Sequence, residues 1–345
     1  MDKQKLKKGL TISAVSLLTL YLLGGISSTL ILDYSIFRNT SSTIEDLNNK
    51  TNRYFFSRND YPNLANVEEH FFKSGDNVLR GYMHRTNKAS NGLVLYAHGL
   101  TSQANSGGHL VLQNWLVSEG YDVFAIDLTA SGASEGDSTI GLYQSAFDIY
   151  EAYNYLQNNN LLEDKLILLG HSWGGFGVSA SLSLGVKAQY VITFAAFDNP
   201  LDTMNEFASH YIGPLSFVNY PVFAATYYSK TSGKVTMSAS DSIRNSDAKV
   251  LVFHGEDDNR IPIQSVSLFG HLSNSSQVKK VAIPNCGHSW LWLTESARDY
   301  IKQLDQKYET LSDEQKEDFF ASIDKTKTAE IDEKIASDIK NFLNS

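Results

Sequence analysis

Cysteine is nearly missing from this chain of 345 residues, and the single Cys286 excludes both a disulfide framework and a cysteine-built zinc cluster. Proline is scarce too, at six residues, and only 19% of the residues are charged, which excludes a collagenous or disordered chain. The formal net charge is −9, and without its first ten residues the chain carries 25 basic against 37 acidic side chains. No basic stripe is left for a phosphate backbone, so a nucleic-acid partner is excluded. No metal-ligand spacing and no cofactor motif occurs, and neither a metal nor an organic cofactor is expected. What the chain does have is 42% hydrophobic residues, with 18 Phe and 18 Tyr, enough for a large packed core. Length alone allows one large α/β domain or two modest ones.

The missing positive charge is concentrated at the start. Lys3, Lys5, Lys7 and Lys8 precede Leu10–Leu32, a run of 23 residues without a charge. At about 1.5 Å per residue a helix of that length reaches roughly 35 Å, enough for a hydrocarbon core of about 30 Å. The run is longer than a signal-peptide core and no Ala-x-Ala follows it, which favours a signal anchor over residues 1–32. Gly25-Ile26-Ser27 leaves a cleaved signal peptide open, with a secreted product. Lysines before the span place the N-terminus in the cytoplasm and the body outside, as a single-pass protein of the cell membrane. Residues 33–62 are rich in Asn, Ser, Thr and Arg and read as a polar stalk, although Tyr54-Phe55-Phe56 offers a docking patch.

From residue 68 short apolar runs alternate with stretches of helical period, the βαβ pattern of a mainly parallel sheet flanked by helices. Strands are predicted at Val78–His84, Leu93–Ala97, Asp122–Ile126, Leu166–Leu169, Tyr190–Phe194, Val250–Phe253 and Val278–Ala282. Leu142, Ala146, Ile149, Tyr153 and Leu156 recur on one face of a helix. Residues 197–247 are too long for a structureless crossover and carry many rings, so a helical cap is predicted there. Towards the end, Ser312-x-x-Gln315 fits a capping box, and Ile331, Ile335, Ile339 and Phe342 form the stripe of a last helix.

Chemistry centres on Gly170-His171-Ser172-Trp173-Gly174. Gly-x-Ser-x-Gly is weak by itself, and Gly132-Ala133-Ser134-Glu135-Gly136 matches it equally well. Only Ser172 follows an apolar strand directly and opens a segment able to be a helix, the strand–turn–helix setting of an exposed nucleophile. A serine needs a base. Of nine histidines, His98 and His254 stand before glycines at strand ends, His171 sits inside the elbow, and His70, His84, His109, His210 and His271 have no distinctive position. His288 lies in the loop after the last predicted strand, placed to return over the sheet edge. The carboxylate that steadies such an imidazole is sought after Val250–Phe253, where Glu256, Asp257 and Asp258 follow one another. The spacing Gly-x-x-Asp-x-x-Ile-Pro favours Asp258, with Glu256, Asp257 and, further off, Asp198 as alternatives.

The order Ser172, Asp258, His288 resembles the α/β-hydrolases, over roughly residues 68–345. Leu95-Tyr96-Ala97-His98-Gly99 is similar to that family's strand and oxyanion loop. Asp127 to Ser134 is similar to a family loop written Asp-x-Arg-Gly-x-Gly-x-Ser, but lacks the Arg and the first Gly. The likeness is greatest to the helix-capped branch with monoacylglycerol lipases and serine aminopeptidases. It implies one α/β-hydrolase domain over 63–345, with its cap at about 197–247. It also implies a Ser–His–Asp triad, with backbone N–H groups of Leu100 and Trp173 as the oxyanion hole.

Substrate is less legible. The cap rings and Trp290-Leu291-Trp292 point to a lipid or small carboxylic ester. A serine aminopeptidase, with Glu206 and Asp202 as candidate amine-binding carboxylates, and an acyltransferase share the triad. A non-catalytic surface module is the remaining alternative.

Overall fold

The structure is a computed structural model that describes residues 3–36, 50–213 and 215–345. Its elements are α1 (Lys3–Ile36), α2 (Lys50–Arg53), β1 (Val67–Ser74), β2 (Asn77–His84), β3 (Leu93–Ala97), α3 (Gly107–Ser118), β4 (Asp122–Ile126), α4 (Gln144–Asn158), β5 (Leu166–His171), α5 (Trp173–Ala180) and β6 (Tyr190–Phe194). They continue with α6 (Pro200–Ile212), α7 (Leu215–Lys230), α8 (Ala239–Arg244), β7 (Lys249–Gly255), α9 (Leu268–His271), β8 (Val278–Ile283), α10 (Glu295–Tyr308), α11 (Asp313–Ala321) and α12 (Glu333–Leu343).

The strands form an eight-stranded sheet in the order β1-β2-β4-β3-β5-β6-β7-β8. β2 pairs antiparallel with both β1 and β4, and every pairing from β4 through β8 is parallel. β5 shows why the inner strands are apolar throughout. Leu166 and Leu168 pack with Ile149 and Phe176 of α4 and α5 on one face, while Ile167 and Leu169 pack with Leu112, Ile301 and Ile339 of α3, α10 and α12 on the other. Each expected strand is present within a residue or two of its predicted ends. β1 is the addition. Its sequence Val-Glu-Glu-His-Phe-Phe-Lys-Ser does not alternate, because it is an edge strand with much of its length open to solvent.

The stripe on α4 is buried as its period requires, and Ile335, Ile339 and Phe342 bury the inner face of α12. Gln315 closes its half of the capping box, accepting the Ser312 backbone N–H at 3.0 Å. The long segment between β6 and β7 is helical. Asn199 caps α6, accepting the Leu201 N–H at 2.8 Å, and Pro200 starts it without leaving an orphan donor.

One N-terminal expectation changes. From Asn52 onward the chain is part of the body and not a free stalk: Tyr54 and Phe55 are buried, Tyr54 meets Phe319 edge to face, and Arg53 pairs with Glu317 at 2.7 Å. Apolar rings outweighed the polar average of residues 33–62, of which 37–49 lie outside the described residues. Leu10–Leu32 falls within α1, where the side chains described run from 11 to 27. Among the described residues, no helix is long and apolar enough to cross a membrane. One side of α1 rests on α7, where the Tyr21 hydroxyl donates to the Val218 carbonyl and Gly25 faces Val222.

Candidate active site

β5 delivers Ser172 into a turn that ordinary side chains resist, with φ 53° and ψ −113°. The turn is pinned by the Ser172 N–H, which donates to the Phe194 carbonyl of β6 at 2.8 Å. Both flanking glycines are required by contact. A Cβ on Gly170 would lie 2.4 Å from the Gly174 carbonyl carbon, and one on Gly174 would lie 2.3 Å from the Ala97 oxygen. α5 begins at Trp173, so a helix N-terminus opens directly behind the serine.

The loop after β8 brings His288 to this turn, and the loop after β7 brings Asp258. His288 Nε2 is 2.8 Å from Ser172 Oγ, and its Nδ1 is 2.8 Å from Asp258 Oδ2. Asp258 is fully occupied: Oδ1 accepts the N–H groups of Arg260 and Ile261, each at 2.9 Å, and Oδ2 also faces His254 Nε2 at 3.3 Å. Burial pushes this carboxyl up, but hydrogen bonds from His254 and His288, the charge of His288 and the Ile261 N–H outweigh it, holding Asp258 well below the ordinary carboxylate range. An ionised acceptor at Nδ1 keeps the His288 proton there and leaves Nε2 free to accept from the serine.

The other candidates are accounted for separately. Glu256 and Asp257 are exposed, while Asp258 is buried. Asp198 binds the Ser240 N–H at 2.6 Å and the Ser238 hydroxyl, fastening the start of α8. Ser134 donates to the Asp127 carbonyl at 2.6 Å and accepts the Arg80 N–H, so it is spent on its loop. Cys286 is buried, and burial pushes its thiol up to about 11, so it stays protonated.

Some site residues lacked a sequence signal. His171 is held neutral, pushed down to about 3 by burial and by the neighbouring His288. Its Nε2 therefore donates to the His288 carbonyl at 2.8 Å and steadies the loop that carries His288. His98 accepts the Leu128 N–H on Nε2 at 3.1 Å, which leaves the proton on Nδ1 to donate to the Gly99 carbonyl at 2.7 Å. That bond fixes the plane of the Gly99–Leu100 peptide, whose N–H belongs to Leu100. Asp127 accepts from Ala104 N, Ala133 N and Tyr82 Oη, tying the loop after β3 to the loop after β4. The Asp-x-x-x-x-Gly-x-Ser spacing was its only trace in the sequence.

A cavity of about 730 Å³ opens over Ser172 and His288, lined by Leu100, Leu142, Phe197, Phe207 and Trp290 among others. Of the many cap rings, Phe197 and Phe207 face it. Phe223 and Tyr227 are buried in packing, and Phe217 and Tyr228 are exposed. Asp202 and Glu206 line a separate cavity of about 570 Å³.

Residues 88–211 match the family described as serine aminopeptidase S33. The fold is similar to an esterase of Pyrococcus furiosus, with a TM-score of 0.54 and 17% identity over 74% of this chain and 94% of that one. It is also similar to the acylaminoacyl peptidase of Pyrococcus horikoshii, with a TM-score of 0.51 and 17% identity over 70% of this chain but 41% of that one. No curated protein matches the chain in sequence. The sheet order and the serine on its strand–turn–helix define the class: the chain has the α/β-hydrolase fold. The match over residues 88–211 supports a serine hydrolase within that fold.

Proposed function

We propose that the chain cleaves carboxylic esters through Ser172, His288 and Asp258. The observation that carries this reading is the unbroken hydrogen-bond chain from Ser172 Oγ through His288 to Asp258, with 2.8 Å at both links. Ser172 Oγ attacks the acyl carbonyl carbon as His288 Nε2 takes its proton, and Asp258 stabilises the imidazolium. The N–H groups of Leu100 and Trp173 hold the oxyanion. Collapse expels the alcohol, which takes the proton back from His288. Water then attacks the acyl-enzyme by the same route and releases the acid. No cofactor enters any step.

A fluorophosphonate probe tests this directly: wild-type protein labels and Ser172→Ala does not. Well-folded wild-type protein that fails to label would sink the hydrolase mechanism. Loss of the serine is expected to cost up to about 10⁶ in turnover.

The aminopeptidase reading is favoured by the family match over 88–211. Against it, Asp202 and Glu206 belong to the other cavity, and Asp202 already accepts the Tyr220 hydroxyl at 2.7 Å. Comparing p-nitrophenyl esters with aminoacyl anilides separates the two, since the ester reading requires the esters to be preferred.

We further propose that residues 10–32 anchor the protein in the cell membrane with the hydrolase domain outside. The lysine cluster followed by 23 uncharged residues supports this, as do the exposed apolar side chains of α1. Protease added to intact cells should digest the domain, and a domain protected until lysis would overturn the orientation.

A further inference from the structure

A cavity of about 420 Å³ adjoins the catalytic one, since Asn52 lines both. Its ionisable residues are Arg53, Arg58, Lys325 and Glu317, three cations against one anion in a chain of net charge −9. Arg53 and Glu317 satisfy each other through two hydrogen bonds of 2.7 Å. Arg58 and Lys325 remain. Both are half-buried, neither has an ion pair among the described residues, and Arg58 Nε is shut off from solvent without an acceptor. The Arg58 guanidinium stands 5.8 Å over the Tyr82 ring, a contact that leaves its charge in place. Asp60, the other carboxylate near Lys325, already accepts the Ser57 N–H at 2.8 Å and the Ser57 hydroxyl at 2.7 Å.

The backbone adds to this positive character. α3 starts at Gly107 in the cavity wall, and its N-cap Ser106 does not cap it, because the Ser106 hydroxyl donates to the Gln103 carbonyl at 3.0 Å. The first N–H groups of a helix have no acceptor within it and form its positive end. On the same wall Asn105 buries Oδ1 without a partner, and the amide turned over places an N–H there. An Arg, a Lys, a helix N-terminus and an amide are donors suited to phosphate. Two cations left without a counter-charge match a dianion better than a single carboxylate.

The position of this cavity ties it to the catalytic one. Trp290 lines the catalytic cavity two residues beyond His288, and its ring centroid is 5.0 Å from that of Phe55, which lines the basic cavity. A methyl on Gly107 would stand 3.2 Å from the Trp290 ring and 3.3 Å from Asn52 Oδ1. The two cavities thus meet around Asn52, Gly107 and Trp290. In the mechanism above the leaving alcohol collects its proton from His288, so it departs on the side of the loop that carries Trp290.

We propose that the basic cavity receives a phosphate carried by the leaving alcohol, so that the preferred substrates are esters of phosphorylated alcohols. This rests on the ester reading of Ser172, His288 and Asp258. Asn52, Arg58 and Lys325 lie outside residues 88–211, so the family match does not specify them.

Inorganic phosphate, titrated calorimetrically into the full chain in neutral detergent at low ionic strength, should bind at a single saturable site. Arg58→Gln and Lys325→Gln should each weaken that binding about tenfold. The kinetic arm uses butyryl monoesters of straight-chain diols whose far hydroxyl is either free or phosphorylated. Once the chain is long enough to span the two cavities, the phosphorylated ester should exceed its free partner in kcat/KM by about tenfold or more. Each variant should bring that ratio close to unity. A variant that folds poorly does not blur either arm, since the ratio cancels the folded fraction and the calorimetric stoichiometry counts it. No saturable binding, or binding equally tight in both variants, would overturn the site. Phosphate binding without preference among the diol esters would overturn its link to the substrate and leave a site for free phosphate. If the wild type turns over neither the diol esters nor p-nitrophenyl butyrate, the ester reading fails and the substrate assignment with it, while the phosphate titration still decides the site by itself.

Discussion

His254 and His288 converge on one oxygen of Asp258, with His288 Nδ1 at 2.8 Å and His254 Nε2 at 3.3 Å from Oδ2. His254 Nε2 also lies 2.8 Å from the Ile261 carbonyl, an acceptor only, so that nitrogen carries the proton. The carboxylate that orients the proposed base is therefore itself held by a second, fully buried imidazole. Replacing His254 by Phe removes that donor while filling its space. A hydrogen bond to a charged group contributes about 1.5–3 kcal/mol, so kcat on a p-nitrophenyl ester should fall about ten- to a hundredfold, with little change in KM. His254→Gln, which can return a donor near Nε2, should recover part of the loss. An unchanged kcat in the Phe variant would remove His254 from any positioning role.

A second consequence concerns the oxyanion. His98 holds the Gly99 carbonyl through Nδ1 and receives the Leu128 N–H on Nε2, so one neutral ring sets the peptide that carries the Leu100 N–H, the proposed oxyanion donor. Asn places an amide nitrogen near the position of Nδ1, whereas Ala leaves both partners unpaired. His98→Ala should lower kcat about 10²-fold, the scale of losing one oxyanion donor, and His98→Asn should fall between Ala and wild type. Single-turnover acylation by a fluorophosphonate reads the same order. Equal rates in all three proteins would show that the peptide is held by other means.

These two imidazoles mark what the sequence could and could not disclose. The parallel strands were legible because strands covered on both faces become continuous apolar runs, and Leu166–Leu169 is one. The elbow was legible because two glycines must flank the serine to avoid backbone. Asp258, His288 and Ser172 were readable by chain order and by their positions after strands. β1 was not, since an exposed edge strand has no apolar period to display. Nor were the tasks of His98, His171 and His254, because a buried imidazole is defined by the carbonyl, carboxylate or N–H across from it. Those partners come from distant chain positions, as with Leu128 for His98. The cap rings misled for a related reason: composition cannot tell a ring that lines a cavity, such as Phe207, from one that fills a core, such as Tyr227.

The depressed acidity of Asp258 has a consequence for stability. Its folded pKa lies below the ordinary carboxylate value, so the stability it contributes is fully present above the unfolded pKa of about 4 and is lost as pH falls through the folded value. Urea midpoints of wild type and Asp258→Asn, measured from about pH 7 down to about pH 3, should differ by a constant amount above about pH 5 and converge below about pH 4. Convergence on the alkaline side would contradict an ionised, hydrogen-bonded Asp258. A gap that narrows already near pH 6 would place the folded carboxyl above its ordinary range and remove it as a charged partner for His288.

The elbow makes the strictest steric demand. A methyl on Gly174 would stand 2.3 Å from the Ala97 oxygen and 2.5 Å from the His98 oxygen, both backbone atoms of the strand and loop that lead to Leu100. Neither can swing aside as a side chain would, so α5 must move away from β3 and carry Trp173 with it. Gly174→Ala should therefore cost about 1–3 kcal/mol of stability and also abolish fluorophosphonate labelling in the fraction that stays folded. Gly185→Ala is the comparison. Its φ of 107° also resists a side chain, but no atom lies within 4 Å of the added methyl. It should lose a similar amount of stability by backbone strain and still label at the wild-type rate. If the two variants label alike, close packing of the elbow against β3 is not what the proposed nucleophile depends on.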